Sequence, residues 1–373
     1  MNVRICAKSL LGVALSLWGA TFASAQATSC DPEPAALCDC TAEPCAAAVS
    51  CDTGCSSSGL LDVFKDCGSQ CGCDPCGSCG KSSGACGCGG GLCGGSNGCC
   101  DESLFGFGIV KPGEKCFNDF ITPITNTIYF EDPRTLTEAR FVFANHMTPT
   151  LGPGLPTARV NLFALQLRAA LTDRLSLIAI KDGFIVSQSP LIDDGWADVA
   201  AGLKYNLYRD PTRPLLVSTG FTFELPVGST RSLQGNGDGE FNMFLTGMGM
   251  IRNWHWVTIG GLRLPTDSSA ENQISYWSGH LDRKIYRNIY FLTETNWYHW
   301  MKSGTAFPLP VEGGDLFNLG SVGVAGNDIV TQAFGTKIKP RNNMELGVAF
   351  EFPLTERRGV LDNRLTLDWI LRY

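Results

Sequence analysis

The last ten residues read Arg364-Leu365-Thr366-Leu367-Asp368-Trp369-Ile370-Leu371-Arg372-Tyr373 and alternate between two kinds of side chain. Successive side chains of a β-strand point to opposite faces, so the stretch predicts a strand with one continuous apolar face. The other face carries three charged residues, a threonine and Ile370. The apolar face consists of Leu365, Leu367, Trp369, Leu371 and Tyr373.

The same two-residue period recurs upstream. Residues 163–171, 199–207 and 344–352 place large apolar side chains on one face and small, amide or charged side chains on the other. Thr172-Asp173-Arg174 predicts a tight turn after the first of these. The period therefore predicts many antiparallel strands. Weaker strands are predicted at residues 217–225, 241–250, 255–264, 274–285, 289–300 and 329–338.

A soluble sandwich and a membrane barrel both hide one face of each strand, so alternation alone does not separate them. Three features favour the barrel. Only 17% of the residues are charged, against about 25% in a typical soluble domain. The less apolar face of the strands carries Gly, Ala, Asn, Lys and Glu, which suits a lumen that contains water. All eight Tyr and seven of the eight Trp follow Cys116, which suits interfacial girdles. We predict an all-β, antiparallel transmembrane β-barrel over residues 138–373, with about 12 strands at roughly 20 residues each.

The N-terminus carries the pattern of a cleaved export signal. Arg4 and Lys8 precede an apolar run at residues 10–22, and Ala23-Ser24-Ala25 supplies small residues for cleavage, so residues 1–25 are predicted to be the signal peptide. No later run reaches the ~20 apolar residues of a membrane helix. The formal net charge of -7, without a run of Lys or Arg, argues against nucleic acid as a partner.

Cysteine divides the chain. Besides Cys6, 17 cysteines lie between Cys30 and Cys116, and none follows. Residues 26–116 form a Cys/Gly-rich, low-complexity segment with few large apolar residues, so it is either stapled by disulfides or disordered. An odd count leaves at least one cysteine free or paired to another chain by an intermolecular disulfide, and the C-x-C and C-x-x-C spacings also suit a thiolate metal cluster. The disulfide or metal candidates are Cys71, Cys73, Cys76, Cys79, Cys86 and Cys88.

Residues 117–137 show no sustained alternation and contain Pro123 and Pro133. They are predicted to be a linker, or a plug folded into the lumen.

Strand parity predicts which charged side chains face inward. Such groups either pair with one another to fill a narrow barrel or line a passage and set its charge preference. The chain has only four histidines and no local nucleophile–base motif, so neither an enzyme nor a cofactor is predicted; His255 and His299, each between aromatic residues, are interpreted as interface residues. The lumen-lining candidates are Arg168, Lys204, Glu224, Glu294, Glu345, Glu351, Arg364, Asp368 and Arg372.

Three resemblances sharpen this prediction. The ending from Leu365 to Tyr373 resembles the C-terminal signal of bacterial outer-membrane barrels, which implies recognition by the barrel-assembly machinery. Gly195-Trp196-Ala197-Asp198-Val199, Gly202-Leu203-Lys204-Tyr205 and Phe223-Glu224-Leu225-Pro226-Val227-Gly228 resemble the outer-membrane family grouped with the meta-pathway of phenol degradation. That family is described as transporters or pores for small organic molecules. The Cys-rich segment has no counterpart there, and the whole architecture resembles envelope proteins of planctomycete-like bacteria.

These resemblances imply an outer-membrane channel or transporter for small solutes, hydrophobic ones included, with the lipid bilayer and small organic solutes as partners. The alternative is a structural envelope protein whose barrel anchors a cross-linking or metal-binding Cys-rich segment. A third hypothesis is a soluble secreted sandwich with a metal-binding head.

Overall fold

The computed structural model describes residues 109–152 and 154–373, and its architecture is almost entirely β. No helix in these residues has the length and apolar character needed to cross a membrane. The strands are β1 (Glu138–Thr148), β2 (Ala158–Ala170), β3 (Leu175–Lys181), β4 (Phe184–Ser187), β5 (Gly195–Trp196), β6 (Val199–Asp210), β7 (Leu215–Leu225), β8 (Glu240–Ile251), β9 (Trp254–Pro265), β10 (Gln273–Tyr286), β11 (Ile289–Lys302), β12 (Asp328–Arg341), β13 (Met344–Pro353) and β14 (Asn363–Arg372).

The sheet closes on itself. Each strand pairs antiparallel with its neighbours, and β1 pairs with both β2 and β14. β3 and β4 both pair with β2 and together occupy one strand position of the barrel, which is interrupted at Asp182-Gly183. β5 and β6 likewise form one position, interrupted at Ala197-Asp198. The fourteen segments therefore make a 12-strand barrel, which confirms the predicted fold class.

Closure leaves every strand residue facing either the lumen or the outside. On the outer face Phe163, Leu245 and Trp369 are 52%, 54% and 41% exposed, whereas Glu294 and Glu345 on the inner face are fully buried. The barrel thus reverses the arrangement of a soluble domain, with apolar side chains outside and charged ones inside.

The two ends of the barrel differ in the length of their connections. At one end, the short-turn end, residues 171–174, 211–214, 252–253, 287–288 and 342–343 join the strands. At the other, the long-loop end, the connections are residues 149–157, 188–194, 226–239, 266–272, 303–327 and 354–362. β1 begins and β14 finishes at the short-turn end. Residues 109–116 lie there too, since Lys111 N donates to Ala170 O (2.8 Å) and Gly113 N to Tyr373 O (3.0 Å).

Two irregular segments fill the lumen. Residues 117–137, the inner segment, are buried from Phe120 onward and occupy the part of the lumen next to the short-turn end. Residues 303–327, the inner loop, fold in from the long-loop end and bury Phe317 and Val324 completely.

Candidate functional site in the lumen

The inner segment is fastened to the wall by a buried ion-pair cluster. Glu131 accepts hydrogen bonds from Arg168 on β2 (Nη2 to Oε2, 2.6 Å) and from Lys204 on β6 (Nζ to Oε1, 2.7 Å). Burial by itself raises the pKa of Glu131, but the two cations outweigh it and hold the pKa below its ordinary value. The carboxylate is therefore ionised, and it neutralises two cations that the wall places in a region without bulk water.

A second charged pair lies within the inner segment itself. Arg134 Nη2 is 2.6 Å from Asp132 Oδ2, and its Nη1 donates to the carbonyls of Phe117 (3.2 Å) and Phe120 (3.1 Å). Arg134 outweighs the effect of burial and lowers the pKa of Asp132. These bonds tie both arms of the segment together, so it forms a compact unit without strand pairing.

The wall contributes its own charge network near the short-turn end. Asp368 Oδ2 lies 2.9 Å from Arg140 Nη2 and 2.7 Å from Lys337 Nζ. Arg372 bridges Glu138 (2.9 Å) and Glu345 (2.6 Å). Two of these pairs, Arg140–Asp368 and Glu138–Arg372, join β1 to β14, so the network holds the closing seam between those strands, and Lys337 extends it to β12.

A chain of four titratable side chains leads from the short-turn end to the inner segment. His255 Nδ1 is 2.8 Å from Asp282, whose other oxygen is 3.0 Å from His280 Nε2. His280 Nδ1 is 2.7 Å from Glu294. Glu294 in turn accepts from the backbone N–H groups of Ile124 (2.8 Å) and Thr125 (2.6 Å) and from the Thr125 hydroxyl.

The interpretation of His255 as an interface residue was wrong. The parity of β9 turns the flanking tryptophans toward the outer face and His255 into the lumen, where it is 7% exposed. His299 does lie on the outer side, with 34% of its side chain exposed and Nδ1 2.9 Å from Asp328.

Polar contacts also fix the inner loop. Arg364 on β14 pairs with Asp315 of the loop (2.8 Å) and with Glu351 on β13 (2.7 Å). Arg263 on β9 donates from Nη1 to the Gly314 carbonyl (2.8 Å) and lies over the Tyr129 ring at 4.4 Å. Arg263 therefore contacts both the inner loop and the inner segment.

An apolar layer separates these polar regions. Ile128 of the inner segment and Phe317 of the inner loop line the same small cavity with Val160, Leu162 and Ile185 of the wall. That cavity has a volume of about 10 Å³, and a second one beside His146 and Trp300 about 20 Å³. Each has room for no more than about one water molecule. In this conformation the lumen is packed along the apolar layer.

All nine lumen-lining candidates lie on the buried inner face, each at most 7% exposed. Arg168, Lys204 and Glu294 meet at the inner segment; Glu345, Asp368 and Arg372 lie in the wall network. Arg364 and Glu351 hold the inner loop, and Glu224 pairs with Lys181 at 2.5 Å. Sequence reasoning missed two sets of buried charged groups. The first set lies on the inner face of strands, where the two-residue alternation could have found it: Arg140, Lys181, Glu240, Arg263, His280, Asp282 and Lys337. The second set lies in irregular segments, where no alternation marks it: Glu131, Asp132, Arg134 and Asp315.

Of the predicted assembly signal, Leu365, Leu367 and Trp369 are exposed on the outer wall, and the Trp369 ring stacks on Phe141 at 5.5 Å. The signal peptide and the six disulfide or metal candidates, Cys71 to Cys88, lie outside the described residues. Cys116 Sγ lies 3.1 Å from Arg209 Nη2. Within residues 109–152 and 154–373, no group of three or more His, Cys, Asp or Glu is arranged to hold a metal ion.

Comparison with known proteins finds similarity in structure rather than in sequence. No protein-family model matches the chain, and no curated protein matches it. Among solved structures, an outer membrane channel from Pseudomonas putida F1 aligns with a TM-score of 0.48 at 11% identity, covering 68% of this chain and 100% of that one. The KdgM porin aligns at 0.38 and 12% identity, covering 63% and 99%. The translocator domain of the autotransporter NalP from Neisseria meningitidis aligns at 0.41 and 10% identity, covering 67% and 92%.

Proposed function

We propose that this protein is an outer-membrane channel for small solutes, held closed by the inner segment and the inner loop. The apolar outer wall suits lipid, and charged side chains there would cost several kcal/mol at the bilayer centre. Short turns at one end and long loops at the other are the usual asymmetry of outer-membrane barrels, with the short turns in the periplasm. The predicted export signal and the C-terminal strand agree with this location.

The main support for this proposal is the way in which the inner segment is attached to the barrel wall. The segment crosses the lumen without joining the β-ladder, and side-chain contacts to Glu131, Ile124 and Thr125 hold it in place. A structural barrel could fill its lumen with wall side chains alone. Groups that bind a separate segment can exchange those contacts for water when it leaves, so the segment is suited to act as a gate.

The apolar layer suggests the solute class. A passage opened between Ile128 and Phe317 would be lined by Val160, Leu162 and Ile185 at its narrowest level. Apolar walls favour small, weakly polar solutes because such solutes lose little hydration when they enter. Both the inner segment and the inner loop must move to open this level, and Arg263, which contacts both, couples the two movements.

Conductance in planar bilayers tests the proposal. Four proteins are compared: the full chain, a variant lacking residues 26–137, a variant whose residues 306–323 are replaced by a short Gly-Ser linker, and the combination. The combination should conduct most, and either single change less, because each leaves one obstruction. Heat-modifiable migration on gels controls for folding in all four.

The alternative is a closed barrel that anchors the Cys-rich segment in the envelope, and the packing of the apolar layer favours it. Absence of conductance in all four proteins, each folded by the gel test, would replace the channel with this anchor.

A further inference from the structure

An arginine interrupts the apolar outer wall near the short-turn end. Arg283 is exposed and lies on the outward-facing side of β10, two residues after Leu281. Its neighbours on that face are aromatic, since Phe291 of β11 is paired with it and its guanidinium carbon lies 5.7 Å from the Trp254 ring of β9. A cation on the lipid-facing side of a barrel is unfavourable at the bilayer centre and tolerated near an interface. Arg283 is therefore placed at the depth of the lipid headgroups.

Two turn arginines lie close to Arg283. Arg252 is the first residue of the turn between β8 and β9, and Arg287 is the first residue of the turn between β10 and β11. The two hairpins are neighbours because β9 pairs with β10, with His255 opposite Asp282. We call Arg252, Arg283 and Arg287 the arginine cluster.

Both turn arginines adopt a backbone conformation that favours glycine. Arg252 and Arg287 have φ values of 58° and 34°, in or near the left-handed region that a side chain with a Cβ atom rarely occupies. Turn geometry by itself would favour glycine at both positions. It therefore does not account for an arginine in each of two neighbouring hairpins.

The barrel does not neutralise the arginine cluster. Residues 249–257 contain no Asp or Glu, and the only carboxylate of residues 281–291 is Asp282. The Asp282 side chain faces the lumen, where it contacts His255 and His280. Within residues 109–152 and 154–373, no member of the cluster lies within ion-pair distance of a carboxylate. The three positive charges are therefore free to bind an anion from outside the barrel.

Apolar side chains adjoin the cluster on the lipid-facing side. Ile251 and Leu281 are 58% and 47% exposed, and Ile251 is paired with Trp254 across the β8–β9 hairpin. An anion bound at the cluster would therefore have an apolar surface beside it that extends along the outer wall. A phospholipid has the matching combination of a phosphate and two acyl chains.

We propose that the arginine cluster binds the headgroup of an anionic phospholipid whose acyl chains lie along Ile251 and Leu281. Arginine suits this contact because its planar guanidinium binds a phosphate through two hydrogen bonds. The Trp254 ring holds Arg283 by a cation–π contact and so orders the side chain before the lipid binds. The proposal rests on the membrane location proposed above and does not depend on whether the barrel conducts.

Native mass spectrometry tests this on the full chain in a neutral detergent. The protein is mixed with equal amounts of phosphatidylglycerol and phosphatidylcholine that carry the same acyl chains, and the lipids that stay bound are counted. The test variant carries R252Q, R283Q and R287Q. The matched control carries R159Q, R231Q and R358Q, which remove the same charge from exposed positions at the long-loop end. Heat-modifiable migration on gels shows that each protein is folded.

The unmodified protein and the control should retain phosphatidylglycerol over phosphatidylcholine by about tenfold or more, since each cation near an anionic headgroup contributes about fivefold. The test variant should retain the two lipids about equally. If the triple change prevents folding, Arg283→Gln alone should lower the preference about fivefold. Excess inorganic phosphate should not displace the lipid, because it lacks the contacts of the acyl chains.

Three results would overturn the proposal: equal retention of the two lipids by the unmodified protein, an unchanged preference in a folded test variant, or displacement by inorganic phosphate. Recovery of the protein as a stable monomer without detergent would overturn the membrane location itself. Conductance measurements bear on neither result, so failure of the lipid site and failure of the channel are distinguishable.

Discussion

Glu131→Gln should release the inner segment from the lumen. The change removes a charge that accepts four hydrogen bonds from two buried cations, Arg168 and Lys204. Breaking a buried pair by removing one partner costs about 3–5 kcal/mol, because the remaining charge is left without compensation. That cost falls only on the closed state, since Arg168 and Lys204 can be hydrated once the segment has left.

The size of the effect follows from the closed-state penalty. The glutamine oxygen can still accept one hydrogen bond, so we take the lower limit of about 3 kcal/mol. At about 1.4 kcal/mol per factor of ten, the open-to-closed ratio of the inner segment should rise about 100-fold. Combining Glu131→Gln with Lys204→Met removes an uncompensated cation and should reverse part of this increase.

Single-channel recording and protease access to residues 117–137 measure the open fraction. The matched control is Asp368→Asn, which also removes a buried carboxylate with two cationic partners on wall strands, Arg140 and Lys337, and leaves in place the hydrogen bond from Arg140 to the Pro123 carbonyl of the inner segment. It should lower the temperature of the heat-modifiable gel transition without raising the open fraction. Equal opening by both variants, or no opening by a folded Glu131→Gln protein, would refute the assigned role of Glu131.

Acid should open the inner segment, as Glu131→Gln does. The pKa of Glu131 is depressed in the closed state, so its ionised carboxylate stabilises that state above the ordinary glutamate range and stops doing so as pH falls through the lowered pKa. A conductance–pH series would show this. Burial, with the nearby Glu240, raises the pKa of Glu271 to about 8. Ionisation of Glu271 therefore destabilises the fold as pH rises from about 4.5 through about 8. Glu271→Gln should raise the gel-transition temperature at pH 8 and leave it unchanged at pH 4. In a protein lacking residues 26–137, Lys204→Glu should shift the reversal potential toward cation selectivity, since it replaces a lumen cation with an anion, and an unchanged potential would place Lys204 outside the path. Tyr373→Asp should remove the barrel from the outer-membrane fraction, because it puts a charge at the end of the closing strand's apolar face; normal levels there would disprove this role.

Period-two patterning was sufficient to predict the wall. A strand residue's face depends only on its position along the strand, so Leu367 and Asp368 could be assigned to opposite sides from sequence alone. The structure places Arg168, Lys204 and Glu294 on the inner face by the same local rule. His255 faces the lumen by the same rule, so its aromatic neighbours are not a guide to its position.

Sequence by itself determined the barrel class and the inward set of charges, since each follows from local alternation. Only the tertiary structure decided which partner each charge has. Glu131 meets Lys204 across 73 positions of the sequence, and Asp315 meets Arg364 across 49. Both acids come from irregular segments, whose path is set by packing and by the need of buried charges for partners rather than by a repeating backbone geometry. The closed lumen is therefore a property of the assembled barrel, because side chains from the wall, the inner segment and the inner loop must all meet to form it.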